Sequence, residues 1–304
     1  MSFSEAEVLR VLARVFANNS PDVRVGIGDD AAVVRVQPGE LVITTDMAVE
    51  GIHFKRSWSS AHDIGRRIIA ANLADLIAMG ATPAHLVAAV SLTGDESLAW
   101  IEALAVGMQE EAAKVGASIV GGDLVRSDVI TLAITAVGYT SAPILRSGAQ
   151  VGDSIYLSGI PGFSAAGHAA LILGKSEKKF ERAIRAFQAP DVDYEKGKLF
   201  WSANSLCDIS DGLLTQAEQM ADASGVKFQC NLDQISSDPD FQLLDLLAKD
   251  CGISVWQWIV AGGEDHLFLA TGNDLPGLKV GTVVAGSGVE FVGLTELPKK
   301  FEHF

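Results

Sequence analysis

Aspartates recur in this 304-residue chain where apolar, β-like runs give out. Asp29 and Asp30 follow Val25-Gly-Ile-Gly28, Asp46 follows Leu41-Val-Ile-Thr-Thr45, and Asp123 follows Ser118-Ile-Val-Gly-Gly122. Asp208 and Asp211 bracket Ile209-Ser210. Taken singly, each has an ordinary explanation: a turn at Asp29-Asp30, a Gly-Gly turn closed by Asp123, or an N-cap at Asp211 contributing about 1 kcal/mol. Asp75 resists such an account. It lies inside Leu73-Ala-Asp-Leu-Ile77, where a carboxylate is at least partly buried and needs a cation beside it. Few lysines or arginines occur in these segments, so a metal ion supplies the missing charge. The donors are hard oxygens, carboxylates joined by hydroxyls such as Thr44, Thr45 and Ser210. That set suits Mg²⁺, which takes about six oxygens and few carboxylates per ion. Separated aspartates therefore suggest several ions, and several Mg²⁺ ions bridging phosphates is the chemistry of phosphoryl transfer.

Gly121-Gly122 fits that chemistry, since bare backbone can approach a phosphate closely; a tight turn is the equal alternative. Arg146, in a turn-rich stretch, is either a phosphate partner or a solvated charge. Two better-known nucleotide motifs fail. Gly26-x-Gly28-x-x-Ala31 places two aspartates where a pyrophosphate needs bare N–H groups, and a β-like run follows it instead of a helix. Gly174-Lys175-Ser176 lacks the partner glycine of a Walker A loop, having Ala169 there.

Elements must hold these residues in place. Ser4 with Glu7 begins a helix through Val8, Leu12 and Val15, with no basic leader. Strands are expected over 31–36, 41–45, 85–92, 117–120 and 129–139, and helices from a Ser60–Asp63 start to a stop at Gly80 and over 98–115. After a turn-rich boundary near 140–152 come strands over 154–158, 226–232, 265–271 and 280–284, and helices near 164–173, 178–187, 193–202 and 211–224. The two halves read as α+β domains, 1–145 and 146–304. A net charge of −15 argues against nucleic acid and anionic membranes as partners. Three cysteines without a C-x-x-C pair point to a reducing, cytoplasmic setting. No apolar run reaches the roughly 18 residues of a membrane span.

The segments Gly26–Ala31, Thr44–Phe54, Asn72–Pro83, Gly121–Asp123, Arg146–Ala149, Gly159–Gly162, Asp208–Gly212 and Gly262–Asp265, in that order, resemble the thiamine-monophosphate kinases. The resemblance implies the two-domain fold shared with aminoimidazole-ribotide synthetase and selenophosphate synthetase. In that fold the N-terminal half dimerises through its sheet and the C-terminal half covers the nucleotide and substrate. Selenophosphate synthetase uses a cysteine near its N-terminus, and the first here is Cys207. The implied reaction converts ATP and thiamine monophosphate to ADP and thiamine diphosphate in a homodimer. By motif, Asp30, Thr44, Thr45, Asp46, Asp75, Asp123, Asp208 and Asp211 are implied Mg²⁺ ligands. Gly121, Gly122, Arg146 and Ser210 are implied ATP contacts. His53 and Glu264 are implied contacts of thiamine phosphate, with Phe301 as the family's C-terminal aromatic on the substrate. No general base is implied, because the acceptor is a phosphate oxygen already ionised at neutral pH.

Overall fold

The computed structural model describes residues 4–17 and 20–299. They divide into two compact units: the described residues up to Ile77 with Ala81–Pro143, and Ala78–Gly80 with the chain from Ile144 onward. Phe301 lies outside the described residues.

In the first unit, α1 (Glu5–Val15) starts as its Ser-x-x-Glu spacing predicts. The Ser4 N–H and hydroxyl both donate to the Glu7 carboxylate, at 2.7 and 2.9 Å. The Val8 side chain of α1 is buried with Leu92 and Ile101. The strand expected over 31–36 contracts to a short ribbon of β1 (Val23–Val25) against β2 (Val33–Val34). Four longer strands build one sheet. These are β3 (Glu40–Val49), then β4 (Thr82–Leu92) after α2 (Ala61–Ala78), and β5 (Ser118–Arg126) and β6 (Thr131–Thr140) after α3 (Leu98–Ala113). Their order is β3-β6-β4-β5, antiparallel except for the β4–β5 pair, which α3 connects.

Two of these strands outrun the expectation. The β3–β6 register continues from Glu40↔Thr140 to Val49↔Thr131, and β5 stays paired with β4 as far as Arg126. Asp46 and Gly121–Asp123 therefore lie within strands rather than at strand ends. A full-length partner satisfies the backbone and overrides the turn preference of Asp and Gly. Helix α2 is apolar on most sides and is correspondingly enclosed; Ile69, Leu73, Leu76 and Ile77 are all fully buried.

The second unit begins with β7 (Ser154–Leu157) and α4 (Phe163–Ile172). A 3₁₀ turn, α5 (Glu181–Gln188) and α6 (Tyr194–Lys198) follow. Helix α6 is shorter than the expected 193–202. Beyond it the chain tightens into i→i+3 bonds, Leu199 N–H to Lys196 O and Phe200 N–H to Gly197 O. Next come β8 (Ser205–Ile209), α7 (Leu213–Ser224), β9 (Lys227–Asn231), α8 (Leu232–Ile235), α9 (Phe241–Cys251) and α10 (Val255–Ala261). The last strands are β10 (Leu267–Gly272), β11 (Leu278–Val284) and β12 (Gly288–Val292). The six strands run β12-β9-β11-β7-β10-β8, antiparallel except β12 with β9. Leu213, Ala217 and Met220 of α7 share a core with Phe228, Leu269 and Val280 of the strands. Among the described residues, no helix is long and apolar enough to cross a membrane.

All three cysteines are free thiols. Cys207 and Cys230 are buried, Cys251 is partly open, and burial pushes the Cys230 thiol up to about 12. Thiolate is the reactive form. An Ellman titration of the native protein is therefore expected to count Cys251 alone, rising to three thiols in denaturant.

Candidate functional site

In the first unit, side chains alternate across β3, so Thr44, Asp46 and Ala48 face one way and Ile43, Thr45 and Met47 the other. On the inner face the Thr44 hydroxyl donates to Asp75 Oδ2 at 2.6 Å. Residues 31 apart in sequence thus meet, one from a strand and one from helix α2. Asp75 is half-buried, and Asp46 buries its Oδ2 on the same side of β3 as Thr44.

Thr45 stands on the outer face. Its hydroxyl donates to Ile134 O at 2.9 Å and accepts from the Thr135 hydroxyl at 3.3 Å. The register carries Met47 through Ala133 and Ala89 to Asp123, so Asp123 belongs to that outer row. The candidate ligands of this unit accordingly fall into two groups, one on each side of the sheet.

The Gly26–Ala31 segment and Gly121–Asp123 line one cavity of about 890 Å³, closed on its apolar side by Leu12, Ile101 and Met108. Asp30 is exposed there. The two adjacent glycines have different reasons to be there. A Cβ on Gly122 would stand 1.9 Å from Ala88 O, so β4 itself demands that glycine. A Cβ on Gly121 would meet only Val87 Cγ1, at 3.9 Å. Packing makes no demand at Gly121, and its bare backbone leaves room for a close approach.

His53 sits in the loop after β3 and accepts the Val49 N–H on Nδ1 at 3.0 Å. The neutral ring then carries its proton on Nε2, which makes His53 a donor. Arg56 anchors this loop, bonding Glu50 at 2.7 Å and Asp95 at 3.0 Å.

In the second unit three motifs distant in sequence meet. The Glu264 N–H donates to Ser210 O at 2.6 Å, and the His266 N–H donates to Ile209 O at 3.0 Å. The loops touch backbone to backbone, and a Cβ on Gly263 would lie 2.5 Å from Ser210 O. The Asp265 carboxylate accepts the Gly162 and Ser164 N–H groups at 2.7 and 2.9 Å, which fixes the start of α4. Burial pushes this carboxyl up to about 6 against the pull of those two donors. The Ser210 hydroxyl accepts from Gln216 Nε2 at 3.1 Å. The N-cap position of α7 is Gly212, one residue past Asp211.

Glu264 lines a cavity of about 720 Å³ together with Ser164, His168 and Trp258; His168 is stacked on Phe187 at 4.9 Å. Arg146 is exposed, next to Leu145, whose carbonyl accepts the Leu206 N–H of β8 at 3.2 Å. Its loop is tied to the C-terminal end of α7, where Ser224 Oγ accepts the Gly148 and Ala149 N–H groups, each at 3.2 Å. Ser210 precedes the N-terminal end of that helix.

Sequence reading missed His266. It is buried, with Nδ1 3.2 Å from Asp208 Oδ2 and Nε2 3.8 Å from Glu264 Oε2. Burial alone would lower its pKa, but the two carboxylates outweigh burial and raise it to about 10. The only signal in the sequence was its place directly after Glu264-Asp265, at what read as a strand start.

The donor chemistry fits Mg²⁺, since each group pairs carboxylates with hydroxyl oxygens. Among the described residues no three His, Cys, Asp or Glu side chains already form a closed cage. Mg²⁺ is characteristically held by one or two carboxylates plus water and phosphate.

Residues 28–140 match the family described as AIR synthase related protein, N-terminal domain. A thiamine-monophosphate kinase of Mycobacterium tuberculosis is 38% identical over 252 residues, covering 82% of this chain and 74% of the relative. The crystal structure of thiamine-monophosphate kinase from Stenotrophomonas maltophilia K279a superposes with a TM-score of 0.84 at 29% identity, covering 97% of this chain and 99% of that one. AaThiL complexed with AMPPCP and TMP gives a TM-score of 0.81 at 29% identity, covering 99% and 97%. With its motifs in order and the likeness carried over most of its length, the chain belongs to the thiamine-monophosphate kinase family.

Proposed function

We propose that this chain transfers the γ-phosphoryl group of ATP to thiamine monophosphate, giving ADP and thiamine diphosphate. The observation that carries the reading is the meeting of distant motifs within each unit: Thr44 with Asp75, residues 26–31 with 121–123, and residues 208–212 with 262–266. The similar structure with AMPPCP and TMP names a nucleotide analogue and an acceptor that suit such sites.

Asp30, Thr44, Asp46, Asp75, Thr45 and Asp123 of the first unit, and Asp208 and Asp211 of the second, would hold Mg²⁺. When bound, that metal neutralises phosphate charge and lets donor and acceptor oxygens approach in line. Gly121 admits the polyphosphate to bare backbone, while Ser210 and Arg146 add a hydroxyl and a charge. His53 offers Nε2–H to the phosphate of the acceptor. Glu264 places negative charge at the rim of an aromatic-lined cavity, which suits a cationic thiazolium ring. The acceptor phosphate has its second pKa near about 6 and is ionised at pH 7, so no protein base creates the nucleophile. Transfer is direct, without a phosphoenzyme, in a cytoplasmic homodimer.

The test is chromatography after mixing protein, MgATP and thiamine monophosphate. Thiamine diphosphate should accumulate with ADP one for one. Release of inorganic phosphate from thiamine monophosphate without ATP would replace this reading with a phosphatase, and a ³²P-labelled protein would exclude direct transfer.

The two glycines offer a sharper check. Gly121→Ala should melt within about 2 °C of wild type yet bind Mg·AMPPCP about tenfold more weakly, a difference of about 1.4 kcal/mol. Gly122→Ala should lose several degrees of melting temperature before any ligand is added, because β4 has no room for the methyl group.

A further inference from the structure

His266 has no part in the phosphoryl-transfer reading above, yet the fold places it with care. Its imidazole is 4% exposed and lies between Asp208 and Glu264. Both Glu264 (φ 68°) and His266 (φ 51°) adopt the left-handed region that non-glycine residues avoid. Such a conformation persists only where the surroundings over-determine it, and it clusters at ligand sites. Two backbone bonds do so here, Glu264 N–H to Ser210 O and His266 N–H to Ile209 O. The apolar β8–β10 pairing begins one residue later, at Leu267↔Ile209. The imidazole thus stands at the edge of the core, where the metal-side motif meets the substrate-side motif.

We propose that His266 is a positioning residue: its Nδ1 orients the Asp208 carboxylate toward the metal, while its ring spaces Glu264 from Asp208. The bond to Asp208 asks only that Nδ1 carry a hydrogen, as it does in one neutral tautomer. One carboxylate oxygen of Asp208 is then engaged and the other is presented in a fixed direction. Partners of this kind are worth about 10–100-fold in metal affinity when removed. The proposal rests on the assignment of Asp208 and Glu264 to metal and substrate.

The experiment uses the full chain and reads binding as well as turnover. The Mg²⁺ midpoint for stabilisation by AMPPCP is measured by thermal shift, with thiamine phosphate absent, for wild type, His266→Phe and His266→Asn. Phe keeps ring volume but has no donor. Asn tolerates the left-handed backbone and can donate to Asp208, but is too short to space Glu264. The midpoint should rise about 10–100-fold in the Phe variant and stay within about threefold in the Asn variant. The Asn variant should instead show a raised KM for thiamine phosphate.

A wild-type midpoint in the Phe variant overturns the proposal. If that variant does not fold, the Asn variant decides alone: a large midpoint shift there, or an unchanged KM, overturns it. Absence of any Mg²⁺-dependent AMPPCP effect in wild type would instead sink the phosphoryl-transfer reading itself.

Discussion

Replacing Asp75 by Asn is expected to lower turnover by about a thousandfold or more while leaving the melting temperature close to wild type. The side chain is half-buried on α2 and accepts the Thr44 hydroxyl at 2.6 Å. Asparagine has the same shape and keeps an oxygen for that hydroxyl, so the contact between α2 and β3 survives. What disappears is a full negative charge in a partly desolvated place, where a carboxylate is unfavourable unless a cation joins it. Thr44→Val makes the complementary change. The charge stays, its hydroxyl partner goes, and turnover should fall only about tenfold, roughly one charge-assisted hydrogen bond. Raising Mg²⁺ should recover part of the loss in Thr44→Val and none in Asp75→Asn. Steady-state rates across a Mg²⁺ titration, with melting curves for both variants, check this. Wild-type turnover in Asp75→Asn would remove Asp75 from the metal site.

Asp75 stands out in the sequence itself. A carboxylate in Leu-Ala-Asp-Leu-Ile contradicts its local pattern, and such a contradiction is readable residue by residue. The α+β class was equally accessible, because short β-rich runs such as Leu41–Thr45 and long apolar stretches such as Leu98–Val115 differ in length and residue type. Strand ends were not. Asp46 and Asp123 read as terminators, yet β3 and β5 run through them because β6 and β4 are long enough to pair the whole way. Pairing length is a property of two segments and cannot be seen in one. The same limit hid the reason for Gly122, which is the carbonyl of Ala88 on a neighbouring strand. It also hid the job of Asp265, whose partners Gly162 and Ser164 lie more than 100 residues away. Nor could the sequence show that the Arg146 loop is tied to Ser224, 75 residues or more away at the end of α7.

In the homodimer proposed above, placing a charge on the outer face of the first unit's sheet is expected to split the protein into monomers. Leu41, Ile43 and Met47 of β3 are 52%, 61% and 58% exposed, and Val87 of β4 and Val125 of β5 continue the apolar surface. Strand alternation puts all three β3 residues on one side, the side opposite Thr44 and Asp46. A soluble domain rarely leaves so broad an apolar face uncovered. In a two-fold dimer the same face meets itself, so every side chain counts twice. At about 1.5–3 kcal/mol per fully buried large apolar side chain, Ile43 alone would contribute several kcal/mol to such a dimer. Ile43→Glu should therefore sediment at half the wild-type mass at micromolar concentration while retaining its secondary structure, since Ile43 takes no part in the core. Thr45 lies between Ile43 and Met47 on this face, and Asp123 is in the adjoining row. Covering the face would withdraw these two candidate ligands from bulk water and strengthen their hold on a cation. The monomeric variant should accordingly lose turnover as well as its partner, with the loss reversed on mixing at high protein concentration. A wild-type chain that sediments as a monomer, or an Ile43→Glu variant that remains dimeric, would show that some other surface joins the copies.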